Sequence, residues 1–130
     1  MKRKPKSAIK KKTEKLWGLV KKVVYLRDKS MCQHCHKEVS GHNRHPNHVI
    51  PQSHGNILKY DIENIITMCF HCHMNWWHKN PLEAALWFEA AFNIRYKYLI
   101  RKKEMYLKIT ESWLDEQIEE MEIMHDRFIT

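Results

Sequence analysis

The stretch Cys32-Gln33-His34-Cys35, answered downstream by Cys69-Phe70-His71-Cys72-His73, decides the fold of this chain. Each C-x-x-C turn presents two sulfurs from one knuckle, and zinc takes four thiolates tetrahedrally, so the two pairs predict one closed four-cysteine site. Cys32, Cys35, Cys69 and Cys72 are thereby assigned to structural zinc, with no coordination position left for a substrate. Two other uses of the thiols fit less well. A disulfide framework belongs to secreted chains, whereas Met1-Lys2-Arg3-Lys4-Pro5-Lys6 leads into more lysines and not into the apolar run of a signal peptide. Redox chemistry asks for a C-x-x-C beside a thioredoxin-like βαβ pattern, and nothing in the sequence suggests one. No segment approaches the length of a membrane span, so the expected setting is a reducing cytoplasm.

Between and around the knuckles the chain is short-turned and dense in ligand side chains: nine of the ten histidines fall between His34 and His78. Gly41, Pro46, Pro51 and Gly55 punctuate this segment. His48-Val49-Ile50 and Ile65-Ile66-Thr67-Met68 read as two antiparallel strands, followed by a helix beginning near Cys72. His34, His36 and His71 lie inside or beside the knuckles and are read as solvent-facing; Trp76 and Trp77 are read as buried. Upstream, Leu16, Leu19, Val20, Val23 and Val24 recur on one helical face, which predicts an amphipathic helix over 14–28. Downstream, Asn80-Pro81-Leu82-Glu83 combines an N-cap, a proline at the first helical position and a capping-box glutamate, so a helix starts at Pro81 with Leu82, Ala85 and Leu86 opening its apolar face. A further helix is expected near 95–108. Ser112 opens a last one, whose stripe of Leu114, Ile118, Met121, His125 and Phe128 is read as intramolecular core.

The fold class is therefore α+β: a small zinc-stabilised core flanked by N- and C-terminal helices. Residues 1–13 form a basic flexible arm, 14–30 a basic helix, 31–80 the zinc core and 81–130 a helical extension, all within one domain. Charge is unevenly placed. The total is +8, yet residues 1–30 hold twelve Lys or Arg against Glu14 and Asp28, while residues 110–130 hold seven Asp or Glu against Arg127. A basic arm gains affinity for a polyanion by releasing counterions from phosphate backbones, which makes nucleic acid the leading partner and a merely solubilising tail the alternative.

The run Asn47-His48-Val49-Ile50-Pro51-Gln52-Ser53, then Asn64, then Cys69-Phe70-His71-Cys72-His73, resembles the HNH endonuclease family and its ββα-metal site. That resemblance implies a general base at His48, an orienting asparagine at Asn64 and a catalytic metal ligand at His73. Most members carry aspartate before the base, and this chain has Asn47 there; Asn47 and His73 are the expected ligands of the hydrolytic ion, with His45 and His78 in reserve. Magnesium or manganese is the expected ion, with nickel or another transition metal as the alternative. Tyr25-Leu26-Arg27-Asp28, the run Leu58 to Asn64 and the helices after His78 are further similar to phage recombination nucleases of the NinG or Rap type. This implies cutting of branched DNA such as Holliday junctions in a bacterial host cell.

Phosphodiester hydrolysis needs a base near neutral pKa and positive charge beside the phosphate, and this set of residues offers both. Lys10, Lys11, Lys12, Lys15, Lys21, Lys22, Arg27, Arg101, Lys102 and Lys103 are the expected grips on the DNA backbone. Paired incisions at a junction would favour a twofold homodimer, for which the helical C-terminal half is the evident interface. Two other functions use the same residues: a zinc-dependent nucleic-acid-binding module without catalysis, and a homing or restriction-type HNH nickase.

Overall fold

Strand β2 (Ile65–Met68) is buried along its whole length, and the rest of the molecule is arranged around its two faces. It pairs antiparallel with β1 (His45–His48), in the register His45↔Met68, Pro46↔Thr67, Asn47↔Ile66 and His48↔Ile65. Successive strand residues point to opposite faces. Ile65 accordingly packs among Leu16, Val20, Val24, Leu114 and Ile118, whereas Ile66 and Met68 pack among Leu58, Cys69, Cys72, Phe88 and Leu99. The computed structural model describes residues 7–130.

The first core is built by α1 (Ala8–Arg27) and α4 (Glu111–Ile129). Ser7 caps α1 by accepting from the Lys10 amide, so the helix starts six residues ahead of the expected position and takes in part of the sequence assigned to the basic arm. Residues 1–6 of that arm lie outside the described residues. Helix α4 is capped by Thr110 and not opened by Ser112, and it buries Leu114, Ile118 and Met121 against α1, while Phe128 stays 46% exposed. The helices lie side by side: Lys12 pairs with Glu111 and Asp115 at 2.8 Å, and Lys15 with Glu122 at 3.3 Å. Glu111, Asp115 and Glu122 of the acidic surface are therefore met by lysines of the same chain, and the apolar stripe read as intramolecular core packs on α1 through Leu114, Ile118 and Met121.

The second core joins the knuckles to α2 (Pro81–Ala91) and α3 (Asn93–Lys102), the latter shorter than the expected 95–108. Two expectations fail in α2. Its buried residues are Ala84 and Phe88, while Leu82 and Leu86 are 75% and 60% exposed. The Asn80 side chain donates to the Trp76 carbonyl at 3.1 Å and makes no N-cap bond, so the capping box does not form. Strand β1 also starts three residues earlier than expected and ends at His48, leaving Val49 and Ile50 to a loop.

Buried Asp28, at the end of α1, accepts from Arg27 Nε at 2.8 Å and from the Thr67 amide at 2.9 Å. Arg27 donates onward to the carbonyls of Ile62 and Ile65, both at 2.6 Å, and Arg95 reaches the Glu63 carbonyl at 3.0 Å. Two guanidinium groups thus hold the turn that leads into β2. Among the described residues, no helix is long and apolar enough to cross a membrane.

Candidate active site and its metal-binding scaffold

The four cysteine sulfurs lie within 4.8 Å of one another, and Cys35 Sγ and Cys69 Sγ are 3.8 Å apart. A tetrahedron with zinc–sulfur bonds of about 2.3 Å has edges of about 3.8 Å, so the donor set fits zinc. Backbone amides point at the sulfurs, Cys35 N–H toward Cys32 at 3.5 Å and Cys72 N–H toward Cys69 at 3.3 Å. Burial, then the neighbouring sulfurs of Cys69 and Cys32, push the Cys72 thiol far above its ordinary value, so a cluster of thiolates here calls for a cation at its centre.

His34 is not solvent-facing. Its ring stacks on Trp76 with centroids 3.7 Å apart and planes 7° apart, meets Trp87 edge-on, and brings Nδ1 to 3.2 Å from Cys72 Sγ. It therefore packs beside the metal clip and ties it to α2. Trp77 is buried, as expected.

His48 closes β1. Its Nε2 donates to the Lys59 carbonyl at 2.9 Å, which fixes the tautomer and leaves Nδ1 unprotonated, accepting a long hydrogen bond from Gln52 Nε2 at 3.4 Å that a water molecule could replace. Burial, with the Lys59 charge assisting and its carbonyl opposing, holds the imidazole below its ordinary value of 6.5. Trp17 of α1 stacks on the ring at 5.4 Å, and Lys21 lies over Trp17 at 5.5 Å. No local pattern links position 17 to position 48; only the docking of α1 beside the hairpin brings them together.

The Asn64 side chain is fully buried and satisfied at both ends. Its Oδ1 accepts from the Ile50 amide at 2.8 Å, and its Nδ2 donates to the carbonyls of Ile50 at 3.0 Å and Leu58 at 3.1 Å. The Asn64 carbonyl also accepts from the Val49 amide at 2.8 Å. One residue thereby pins both ends of the loop that carries the segment after His48.

His73 sits on seven residues of π-helix, His71–Trp77. The wider turn has a local consequence. The His78 amide donates to the His73 carbonyl at 3.2 Å, five residues back, and so brings the two rings to a centroid distance of 4.7 Å at a 49° tilt. His73 Nε2 is 3.0 Å from His78 Nε2, and His73 Nδ1 is 3.0 Å from His45 Nδ1. His45 donates from Nε2 to the His42 carbonyl at 2.8 Å, which leaves its Nδ1 lone pair aimed at His73. Burial first, then the charges of His78, His45 and His48, lowers the His73 pKa to about 4. The two reserve histidines are thus the immediate neighbours of the expected ligand. Asn47 is 1% exposed and donates from Nδ2 to Met68 Sδ at 3.2 Å, with no hydrogen bond to its Oδ1 among the described residues.

Asn47, His48, His73 and His78 share one cavity of about 600 Å³, whose wall continues along the loop after β1 and across α2 and α3. The expected backbone grips divide. Arg27 is a structural clamp; Lys12 and Lys15 pair with α4; Lys102 pairs with Asp61 at 2.6 Å and Lys103 with Glu104 at 2.7 Å. Lys10, Lys11, Lys21, Lys22 and Arg101 make no ion pair among the described residues.

No curated protein and no solved structure matches the chain. Residues 32–85 match the family model described as HNH endonuclease, so the knuckles, the hairpin and the histidine cluster together form the part of this chain that is similar to HNH endonucleases.

Proposed function

We propose that this protein is a metal-dependent DNA endonuclease in which His48 activates water. The observation that carries the reading is the bond from His48 Nε2 to the Lys59 carbonyl, because it leaves Nδ1 unprotonated on the wall of a cavity shared with His73. A depressed pKa keeps that nitrogen neutral at physiological pH.

In the proposed step, His48 Nδ1 takes a proton from a water molecule as its oxygen attacks phosphorus. The P–O bond to the leaving sugar oxygen then breaks, and that oxygen is protonated from solvent. Asn64 holds the loop from Val49 to Leu58, and Trp17 stacks on the base, so the imidazole enters the reaction already oriented. A divalent cation held by His73, with Asn47, or with His45 on its Nδ1 side or His78 on its Nε2 side, would supply positive charge beside the phosphate. The imidazole-rich donor set favours a transition metal over magnesium, which prefers carboxylate and water oxygens.

Lys21, stacked over Trp17 beside the base, and the exposed Lys10, Lys11, Lys22 and Arg101 supply the backbone contacts in this reading. Branched recombination intermediates are the proposed substrate, on the resemblance of the flanking segments to NinG or Rap-type nucleases and the absence of an evident sequence-reading module. The test offers the zinc-loaded protein plasmid, linear duplex and a synthetic four-way junction in magnesium, manganese or nickel. Preferential scission of the junction supports the whole reading. Binding with no scission in any metal supports the non-catalytic module, and equal nicking of all three substrates supports a sequence-indifferent nickase.

A further inference from the structure

Resting on the nuclease reading, we propose that the apolar half of the active-site cavity receives an unpaired nucleobase next to the phosphate being cut. The cavity is chemically divided. Its histidines are His48, His73 and His78, whereas the remainder includes Val49, Ile50, Trp77, Ala85, Tyr96 and Ile100. No carboxylate, lysine or arginine lines it. An apolar wall offers nothing to a sugar–phosphate backbone, but it matches the face of a base, and half-buried Tyr96 provides a ring of the kind on which bases stack, with the edge of buried Trp77 behind it. The volume of about 600 Å³ falls within the range of small-ligand sites.

Covalent geometry makes the occupant specific. A phosphate poised at His48 carries a nucleoside on each side, so one base is a single sugar away from the apolar wall. In intact duplex that base is stacked and paired, and drawing it out costs free energy; at a branch, flap or single strand the cost is least. The cleft would thereby select unpaired DNA by the state of the base and not by its identity. Gln52 and Ser53, both exposed on the same wall, are the polar groups available to its edge.

The experiment measures binding by fluorescence anisotropy, with zinc-loaded protein and no added divalent ion, using oligothymidine, the same chain with abasic residues, and a blunt duplex. Wild type should bind the abasic chain roughly tenfold more weakly than oligothymidine. Ala85→Trp, an exposed helical position on the cavity wall, should weaken oligothymidine binding by a similar factor and leave the duplex and the abasic chain unchanged. Leu86→Trp, exposed on the same helix and outside the cavity, should alter none of the three. Equal wild-type affinity for abasic and thymidine chains would overturn the proposal without reference to any variant's folding. Base-dependent binding with no cleavage in any metal would remove the nuclease reading and keep the pocket; cleavage with no base dependence would do the reverse.

Discussion

His48 Nε2 lies 2.9 Å from the carbonyl oxygen of Lys59, eleven residues away across the loop that Asn64 closes. A carbonyl accepts only, so the imidazole proton is held on Nε2 and the reactive lone pair on Nδ1. The pH dependence follows in sign. Burial lowers the pKa of His48 below 6.5, and a nearby cation would lower it further, so the base is neutral across the physiological range. Cleavage should rise with pH along an acid limb whose midpoint lies below 6.5 and then level off. A pH–rate profile on one substrate measures this; a midpoint above 7 would contradict the assignment.

Asn64→Ala should lower stability by about 3 kcal/mol, because it deletes three buried side-chain hydrogen bonds and takes from the Ile50 amide and carbonyl the partner each has in Asn64. Asn64→Asp should be similarly damaging, since a carboxylate cannot donate to the two carbonyls. Urea unfolding of zinc-loaded protein checks both.

Removing zinc should unfold the second core while lowering the helical signal only in part. The four thiolates close the residues that carry Ile66, Met68 and Trp77, whereas the α1–α4 pair rests on its own apolar cluster and its lysine–carboxylate pairs. Binding free energy at such a site is on the order of 10 kcal/mol and is largely folding free energy. One equivalent of zinc per chain, released by a thiol-modifying reagent together with loss of tertiary near-ultraviolet dichroism, is the expected result.

His73→Ala should abolish binding of the second metal, and because His45 faces its Nδ1 while His78 faces its Nε2, one of His45→Ala and His78→Ala, and not both, should weaken binding roughly tenfold or more. Calorimetric titration of zinc-loaded protein with nickel or manganese measures this directly. Full retention of affinity in both single variants would return the ligand set to Asn47 and His73.

Sequence reading served best where a local rule has no competitor. Ile65–Met68 is a run of β-formers and is the strand; Pro81 begins its helix; the C-x-x-C pairs converge. It failed where the deciding interaction is distant or where two patterns coexist. Strand β1 is His45-Pro46-Asn47-His48, polar residues held by pairing to β2 and invisible to a hydrophobic template. Helix α2 is apolar nearly all round, so its periodicity could not say that Ala84 and Phe88 face the core and Leu82 does not. The π-helical turn that brings His78 to His73 leaves no compositional trace, and the lysines paired with α4 read as free charge until the helices are seen side by side.

The central claim is tested most directly by His48→Ala in a plasmid-nicking assay, with zinc-loaded protein at matched DNA occupancy and with the preferred divalent ion. Loss of a general base should lower the cleavage rate about a hundredfold or more while DNA affinity is kept. Nicking by the variant at the wild-type rate would contradict the account.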